Sequence, residues 1–329
     1  MSFLNHQLHI GRIDAYIDPM EPRDLAIITH GHADHARYGH KRVIATHETI
    51  EIMKVRYGEN CAESFEPLAL RETRRIGDVD VTLYPAGHVL GSAQVLLEHN
   101  GERIVVTGDY KRGSDSTCED FEVVPCDILV TEATFGLPVF QHPAPQEEIA
   151  KFLLSLKNNP TRAHLIGAYA LGKAQRVIRL LREAGYDKPI YLHGAQEKLC
   201  AFYQEHGVDL GDLRKATLDH KGEFEGAVVI APPSALKDKW SRRFPDPVVC
   251  MASGWMQVKQ RARQRGCELP LVISDHADWN ELLDTVRDCG ASKIWVTHGR
   301  EDALVYECQR MGLEAEPLSI QGRDMEGEE

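Results

Sequence analysis

The sequence has no apolar run long enough to cross a bilayer, and no basic segment followed by an apolar one near its start. We therefore expect no membrane contact and no secretory signal, and we expect a cytoplasmic protein. The 8 cysteines include no Cys-x-x-Cys pair, so the spacing of a zinc ribbon is missing. In a chain of this length they indicate reduced thiols and not a disulfide framework.

Length and composition indicate a soluble globular protein. The 329 residues are 43% hydrophobic, which excludes the disordered and fibrous classes and allows one large or two ordinary domains. Histidine is the unusual residue, with 16 copies, many of them in short patterns with Asp and Gly. We look for the chemistry of the protein in these patterns.

The pattern of predicted elements changes twice along the chain. Residues 1–142 favour short strands joined by turns, whereas residues 143–268 alternate helices with short strands, as α/β domains do. Residues 269–329 return to the first pattern, with strands predicted at 271–274 and 293–297. We predict one domain built from the two outer segments, with a second domain inserted between them.

Charge follows the same division. The net formal charge is −12, but residues 143–268 carry +6 and the remainder −18. A basic segment within an acidic chain indicates a surface that meets an anionic ligand. The alternative for its densest stretch, from Lys259 to Arg265, is a solvated helix face.

The strongest motif is His30-Gly-His32-Ala-Asp34-His35, directly after the apolar segment Leu25–Thr29. Three imidazoles and a carboxylate at this spacing suit divalent ions such as zinc, and a purely structural reason for the pattern is hard to find. Three more donor residues each follow a predicted strand and adjoin a glycine: His88, Asp109 and His298. We expect them to complete the same site.

Together these motifs resemble the metallo-β-lactamase fold, an αββα sandwich. The resemblance implies two divalent ions, zinc in the first place and manganese as the alternative. It implies that Asp109 bridges the two ions and that Asp18 supports the histidine-rich loop as a hydrogen-bond acceptor behind the ligands. The remaining implied ligands are His30, His32 and His88 for one ion, and Asp34, His35 and His298 for the other.

Three further motifs resemble those of the β-CASP nucleases, whose α/β β-CASP domain is inserted into this fold. Thr131-Glu132-Ala-Thr-Phe-Gly resembles motif A, Ser274-Asp-His276-Ala-Asp resembles motif B, and Val296-Thr-His298-Gly resembles motif C. The family implies phosphodiester hydrolysis by a two-metal-activated hydroxide. His276 would supply a proton or charge stabilisation to the leaving oxygen, and Glu132 would orient His276. The implied catalytic residues are Asp34, Asp109, Glu132 and His276. The alternative for His276 is a structural loop or N-cap histidine.

Less specific segments resemble the DNA-ligase-associated exonucleases, for example Thr107-Gly-Asp-Tyr-Lys-Arg112 and Ser274-Asp-His-Ala-Asp-Trp279. This likeness extends along nearly the whole chain. This implies DNA, single-stranded or end-containing, as substrate, a role in DNA repair, and functional links to a DNA ligase and a helicase. A histidine in motif C, here His298, is common among RNA-processing members. An RNA-processing nuclease, endo- or exonucleolytic, therefore stays the alternative.

Several residues of the basic segment are predicted to contact nucleic acid. Lys173 at a helix start and the Ser253-Gly254 turn are expected to hold a terminal phosphate, Trp255 to stack on a base, and Lys259 and Arg261 to meet the backbone. Packing is the alternative for the serine and the tryptophan. A small-molecule hydrolase would share the metal motif but has no need of a basic insert, and a binding subunit without catalysis would be expected to lack ligands.

Overall fold

A computed structural model describes residues 2–217 and 224–318. These form two compact units, one of residues 2–141 and 276–318, the other of 142–217 and 224–275. The second unit extends to residue 275, beyond the predicted end at 268, because its last strand, Leu269–Leu271, pairs in its sheet and the loop after that strand packs with the same unit. Residues 319–329, the end of the third predicted segment, lie outside the described residues.

The strands are numbered along the chain. The first unit begins with β1 (His9–Ile10), β2 (Ala15–Ile17), β3 (Leu25–Ile27), β4 (His40–Ala45), β5 (Ala62–Pro67), β6 (Thr73–Ile76), β7 (Val79–Pro85), β8 (Ala93–His99), β9 (Glu102–Val106) and β10 (Ile128–Ala133). The second unit contains β11 (His164–Gly167), β12 (Ile190–Leu192), β13 (Leu213–Lys215), β14 (Val228–Ala231), β15 (Val248–Ala252) and β16 (Leu269–Leu271). The chain returns to the first unit with β17 (Lys293–Gly299) and β18 (Glu314–Pro317).

The α-helices are α1 (His47–Tyr57), α2 (Pro145–Asn158), α3 (Lys173–Glu183), α4 (Gly194–Glu205), α5 (Lys259–Gln264), α6 (Trp279–Asp288) and α7 (Glu301–Arg310). Short 3-10 helices span Pro233–Lys237, Lys239–Arg243 and Gly254–Gln257. No helix among the described residues is long and apolar enough to cross a bilayer.

The first unit is a four-layer sandwich. A five-stranded sheet in the order β1-β2-β3-β4-β5 faces a seven-stranded sheet in the order β18-β17-β10-β9-β8-β7-β6. Alternate residues along β3 and the position after it pack into two different hydrophobic clusters. Leu25 and Ile27 belong to the cluster between the sheets, whereas Ala26 and Ile28 belong to the cluster on the α1 side. Helices α6 and α7 cover the other sheet through a third cluster. This αββα arrangement confirms the fold class predicted from the sequence.

The second unit contains a parallel sheet in the order β13-β12-β14-β11-β15-β16. Its inner strands are fully buried short apolar runs such as Val228–Ala231, as expected for a parallel sheet covered by helices. This is an α/β domain of the kind predicted.

The strand predicted at 271–274 is wrong. The strand of this region is Leu269–Leu271, and the chain leaves the sheet where the Val272 amide donates to Glu148 Oε2 at 2.8 Å. A buried carboxylate that binds a backbone amide cannot be seen in the local sequence, which reads as a continuous apolar run.

Candidate metal centre and its flanking histidine–glutamate pair

Strand ends bring the predicted donors together in the first unit. Strands β9, β10 and β17 are parallel neighbours, so their carboxyl ends meet at one edge of the sheet. Asp109 follows β9, Glu132 lies near the end of β10, and His298 near the end of β17. The turn after β7 adds His88 at the same edge, because β7 and β9 are both antiparallel to β8.

One group of donors consists of His30, His32, His88 and Asp109. The Nδ1 atom of His32 lies 3.1 Å from His30 Nε2 and 3.0 Å from His88 Nε2. Asp109 Oδ2 lies 3.5 Å from His30 Nε2 and 3.9 Å from His88 Nε2. Zinc–nitrogen bonds of 2.0–2.1 Å place tetrahedral ligands about 3.3 Å apart. The four separations lie near this value, so the donor atoms are close enough together to share one ion.

A second group consists of Asp34, His35 and His298. Asp34 Oδ2 lies 3.7 Å from His35 Nε2 and 3.8 Å from His298 Nε2. Asp109 faces this group too, with Oδ2 at 3.4 Å from His35 Nε2 and Oδ1 at 3.9 Å from His298 Nε2. One carboxylate thus stands between two clusters of imidazoles.

Asp109 itself gives the sharpest sign that a cation belongs here. Its side chain is 3% exposed, and within the described chain its Oδ1 atom has no hydrogen-bond donor. A buried carboxylate oxygen without a partner is costly, and a cation between Asp109 and the imidazoles would remove that cost. The donor set, imidazole and carboxylate, is the one that zinc and manganese accept.

Ionisation favours the ligating forms. Burial, together with the neighbouring imidazole of His35, lowers the pKa of His30 well below its ordinary value. Burial alone would raise the pKa of Asp109, but the imidazoles of His35, His298 and His276 lower it well below the usual range. Neutral imidazole and ionised carboxylate are the forms that bind a divalent ion.

Asp18 holds the histidine-rich loop from behind. Its Oδ1 accepts the Thr29 amide at 2.8 Å, and its Oδ2 accepts the Thr29 hydroxyl at 2.6 Å and lies 2.8 Å from His35 Nδ1. With the Nδ1 proton directed to Asp18, His35 presents Nε2 to the site. Asp18 and His298 both have positive φ, at 46° and 57°, a conformation that is uncommon for non-glycine residues.

A histidine–glutamate pair adjoins the metal groups. His276 Nδ1 lies 3.0 Å from Glu132 Oε2 and 4.0 Å from Asp109 Oδ2. Glu132 is fully buried, and its Oε1 accepts the Tyr110 amide at 2.7 Å. The carboxylate therefore fixes the orientation of the imidazole.

Sequence reasoning missed three residues that support the site. Thr29 joins Asp18 to His30, whose Nδ1 lies 3.1 Å from the threonine hydroxyl. Arg56 on α1 donates to the carbonyl of Gly31 at 2.8 Å, within the histidine-rich loop. Gly108 has φ +57°, and a Cβ there would lie 2.7 Å from Thr29 Oγ1, so only glycine fits directly before Asp109. Two of these had a local signal: Thr29 lies between an apolar strand and His30, and Gly108 directly precedes Asp109.

The residues predicted to bind a phosphate lie in the second unit. Lys173 begins α3 but is buried, and its Nζ lies 2.5 Å from Asp275 Oδ1. Ser253 and Gly254 are buried, and the serine hydroxyl accepts the Trp255 amide at 3.3 Å. Their role at a phosphate stays a prediction, and for Lys173 it requires that Asp275 release the ammonium group.

The residues predicted to meet bases and the backbone are more accessible. Trp255 is half-buried, and the guanidinium carbon of Arg261 lies 3.9 Å from the centre of its ring. Lys259 is exposed at the start of α5. Their contact with nucleic acid also stays a prediction.

Comparisons with known proteins agree with this fold. Residues 7–166 match the family model of the beta-lactamase superfamily domain. A crystal structure of a protein of unknown function from Enterococcus faecalis V583 matches with a TM-score of 0.56 at 13% identity, covering 84% of this chain and 76% of that one. This likeness concerns the fold alone.

Curated relatives cover most of the chain. A "Probable DNA ligase" of Opitutus terrae is 29% identical over 94% of this chain and 30% of its own length. An "RNase J-like protein" of Methanocaldococcus jannaschii is 27% identical over 84% of this chain and 81% of its own length. "Endoribonuclease ysh-1" of Neurospora crassa is 31% identical over 57% of this chain.

The chain spans less than a third of the ligase and of the endoribonuclease, at 30% and 27% of their lengths. Residues 7–166 are similar to the beta-lactamase superfamily domain, and the relatives include proteins named as nucleases, which supports the resemblance to the β-CASP nucleases of the metallo-β-lactamase fold.

Proposed function

We propose that this protein is a two-metal nuclease that hydrolyses DNA phosphodiester bonds, as an exonuclease that prepares ends for ligation. The observation that carries the proposal is the position of Asp109 between two groups of imidazoles, with the His276–Glu132 pair 4.0 Å away. A two-ion centre with a proton donor beside it meets the requirements of phosphodiester hydrolysis.

The proposed ligands follow from the two groups of donors. His30, His32, His88 and Asp109 would hold one ion, and Asp34, His35, His298 and the same Asp109 would hold the other. Divalent ions held there, zinc or manganese, would lower the pKa of a water molecule and offset the charge of the phosphate. Asp18 keeps Nε2 of His35 available to the site.

The chain supplies the proton for the leaving group. Protonated His276 donates to the departing oxygen, while Glu132 stabilises the imidazolium before transfer and holds the ring in place. Because Glu132 also binds the amide next to Asp109, one carboxylate sets the position of both the donor and the bridging ligand.

Exposed cations of the second unit support a polyanionic substrate. Lys239, Arg242 and Lys259 are exposed, and no carboxylate of the described residues forms an ion pair with them. Cations of the first unit are typically paired, as Arg75 is with Asp80 at 2.8 Å. Uncompensated cations suit a nucleic-acid backbone and serve no purpose for a small neutral substrate.

DNA is the first candidate because the likeness to the "Probable DNA ligase" of Opitutus terrae extends over 94% of this chain. A region similar to this chain within a protein of that name supports a role in DNA repair and a functional link to ligation. RNA is the second candidate, because other relatives are named as ribonucleases and because His298 occupies motif C.

End-labelled single- and double-stranded DNA and RNA of one sequence test the proposal. Each is supplied with and without a 5′-phosphate, and each is incubated with and without a chelator. We expect metal-dependent release of nucleotides from DNA. Much faster degradation of RNA would favour the second candidate. Turnover of a β-lactam or thioester without cleavage of either nucleic acid would refute the nuclease assignment.

A further inference from the structure

The carboxylate of Glu281 connects two parts of the first unit that are far apart in sequence. Its Oε1 accepts the Gly113 amide at 2.9 Å, and its Oε2 accepts the Asp278 amide at 3.0 Å and the Lys111 ammonium group at 2.5 Å. Lys111 and Glu281 are separated by 170 positions. Both are only partly exposed, at 14% and 20% of their side chains.

Part of this arrangement is ordinary helix capping. Asp278 and Glu281 form a capping box at the start of α6, which needs one glutamate oxygen and one amide. The contacts to Lys111 and Gly113 are additional, since they come from the loop after β9. Glu281 therefore ties the start of α6 to that loop.

The two elements joined in this way carry the two groups on which the proposed chemistry depends. Asp109 is the third residue of the loop, and His276 lies two positions before the helix cap, Asp278. A second connection runs nearby, since the Ala277 amide donates to the Tyr110 carbonyl at 2.6 Å. Glu132 closes a ring of contacts by binding the Tyr110 amide at 2.7 Å and His276 Nδ1 at 3.0 Å.

We propose that Glu281, paired with Lys111, is a positioning residue that holds His276 in register with Asp109. The inference rests on the nuclease function proposed above. Reacting groups must be placed to within a fraction of an ångström, and loops are free to shift unless charged or hydrogen-bonded contacts restrain them. The partly buried pair supplies that restraint two positions after Asp109 in the loop.

The test compares three single substitutions. Glu281→Gln keeps the size of the side chain. Its one carbonyl oxygen can accept either from the Gly113 amide or from the Asp278 amide and Lys111, but not from both. Lys111→Met removes the cation alone. The matched control is Asp284→Asn, which removes a carboxylate from the same helix where it pairs with Arg287 at 2.9 Å on the exposed face.

We expect Glu281→Gln and Lys111→Met each to lower kcat for nucleic-acid cleavage about tenfold, with KM changed less than twofold and two ions per chain retained. The double variant should be no worse than the poorer single one, because both changes break the same pair. Asp284→Asn should match the wild type. Amide hydrogen exchange of the metal-free protein should be faster at Gly113 or at Asp278, whichever loses its acceptor, in Glu281→Gln only.

Wild-type kcat in both pair variants, or additive losses in the double variant, would overturn the inference. Loss of bound metal together with kcat would assign Glu281 to the integrity of the metal centre and would equally reject the positioning role. If Glu281→Gln does not fold, Lys111→Met alone decides. A wild type that cleaves no nucleic acid rejects the proposed function, whereas unchanged exchange at Gly113 and Asp278 rejects the restraint by Glu281 itself.

Discussion

Replacing Asp109 by asparagine removes one negative charge from the centre of the site while keeping the shape of the side chain. The Asp109 carboxylate lies 3.4–4.0 Å from the nearest nitrogens of the imidazoles around it. At about 4 Å and an effective dielectric constant near 20, one pair of unit charges interacts by about 4 kcal/mol. Losing about 4 kcal/mol weakens the binding of a cation about a thousandfold for each unit of its positive charge.

We therefore expect Asp109→Asn to bind at most one ion per chain and to lose at least about a thousandfold in cleavage. Metal content by mass spectrometry and single-turnover cleavage on the same preparation measure both effects. The matched control is Asp80→Asn, which removes an exposed carboxylate of the same unit and should change neither. Two ions at full occupancy in Asp109→Asn would refute the assignment of the bridge.

Three further predictions concern other parts of the molecule. His276→Ala should retain both ions but slow cleavage by about 10²–10⁴-fold, the usual effect of losing a general acid, and an unchanged rate would remove His276 from the mechanism. Asp18→Asn should weaken metal binding by about 10–100-fold, measured by competition with a chromophoric chelator, because His35 loses its orienting acceptor; equal affinity would show that the orientation of His35 does not need Asp18. Burial lowers the pKa of His164, so folding disfavours its protonated form and stability falls as the pH drops below about 6.5. The melting temperature of metal-free protein should therefore fall less between pH 7.5 and 5.5 in His164→Gln than in the wild type, and an equal fall would contradict the shift.

The sequence was most informative where function imposes a dense local pattern. The segment from His30 to His35 places four donors within six residues, and no packing requirement produces such a cluster. Single donors such as His88 and Asp109 were recognisable by their position after an apolar strand, since strand order brings those ends to one edge. The layered fold followed from the resemblance of these motifs to a known family.

Contacts between distant residues could not be predicted in the same way. Nothing near Glu281 in the sequence indicates Lys111 as its partner, and the capping pattern at Asp278 is satisfied by local contacts alone. Lys173 shows the opposite difficulty. A lysine at a helix start suggests a phosphate ligand, but its neutralising partner, Asp275, lies 102 positions away and is revealed only by the fold.

Counting the ions held by the wild-type chain tests the central claim most directly. Metal-free protein titrated with zinc, followed by calorimetry and by mass spectrometry of the desalted complex, should take up two ions per chain, and nucleic-acid cleavage should appear only as the second site fills. Saturation at one ion or at none, or full cleavage by metal-free protein, would contradict a centre built on Asp109 between two groups of histidines.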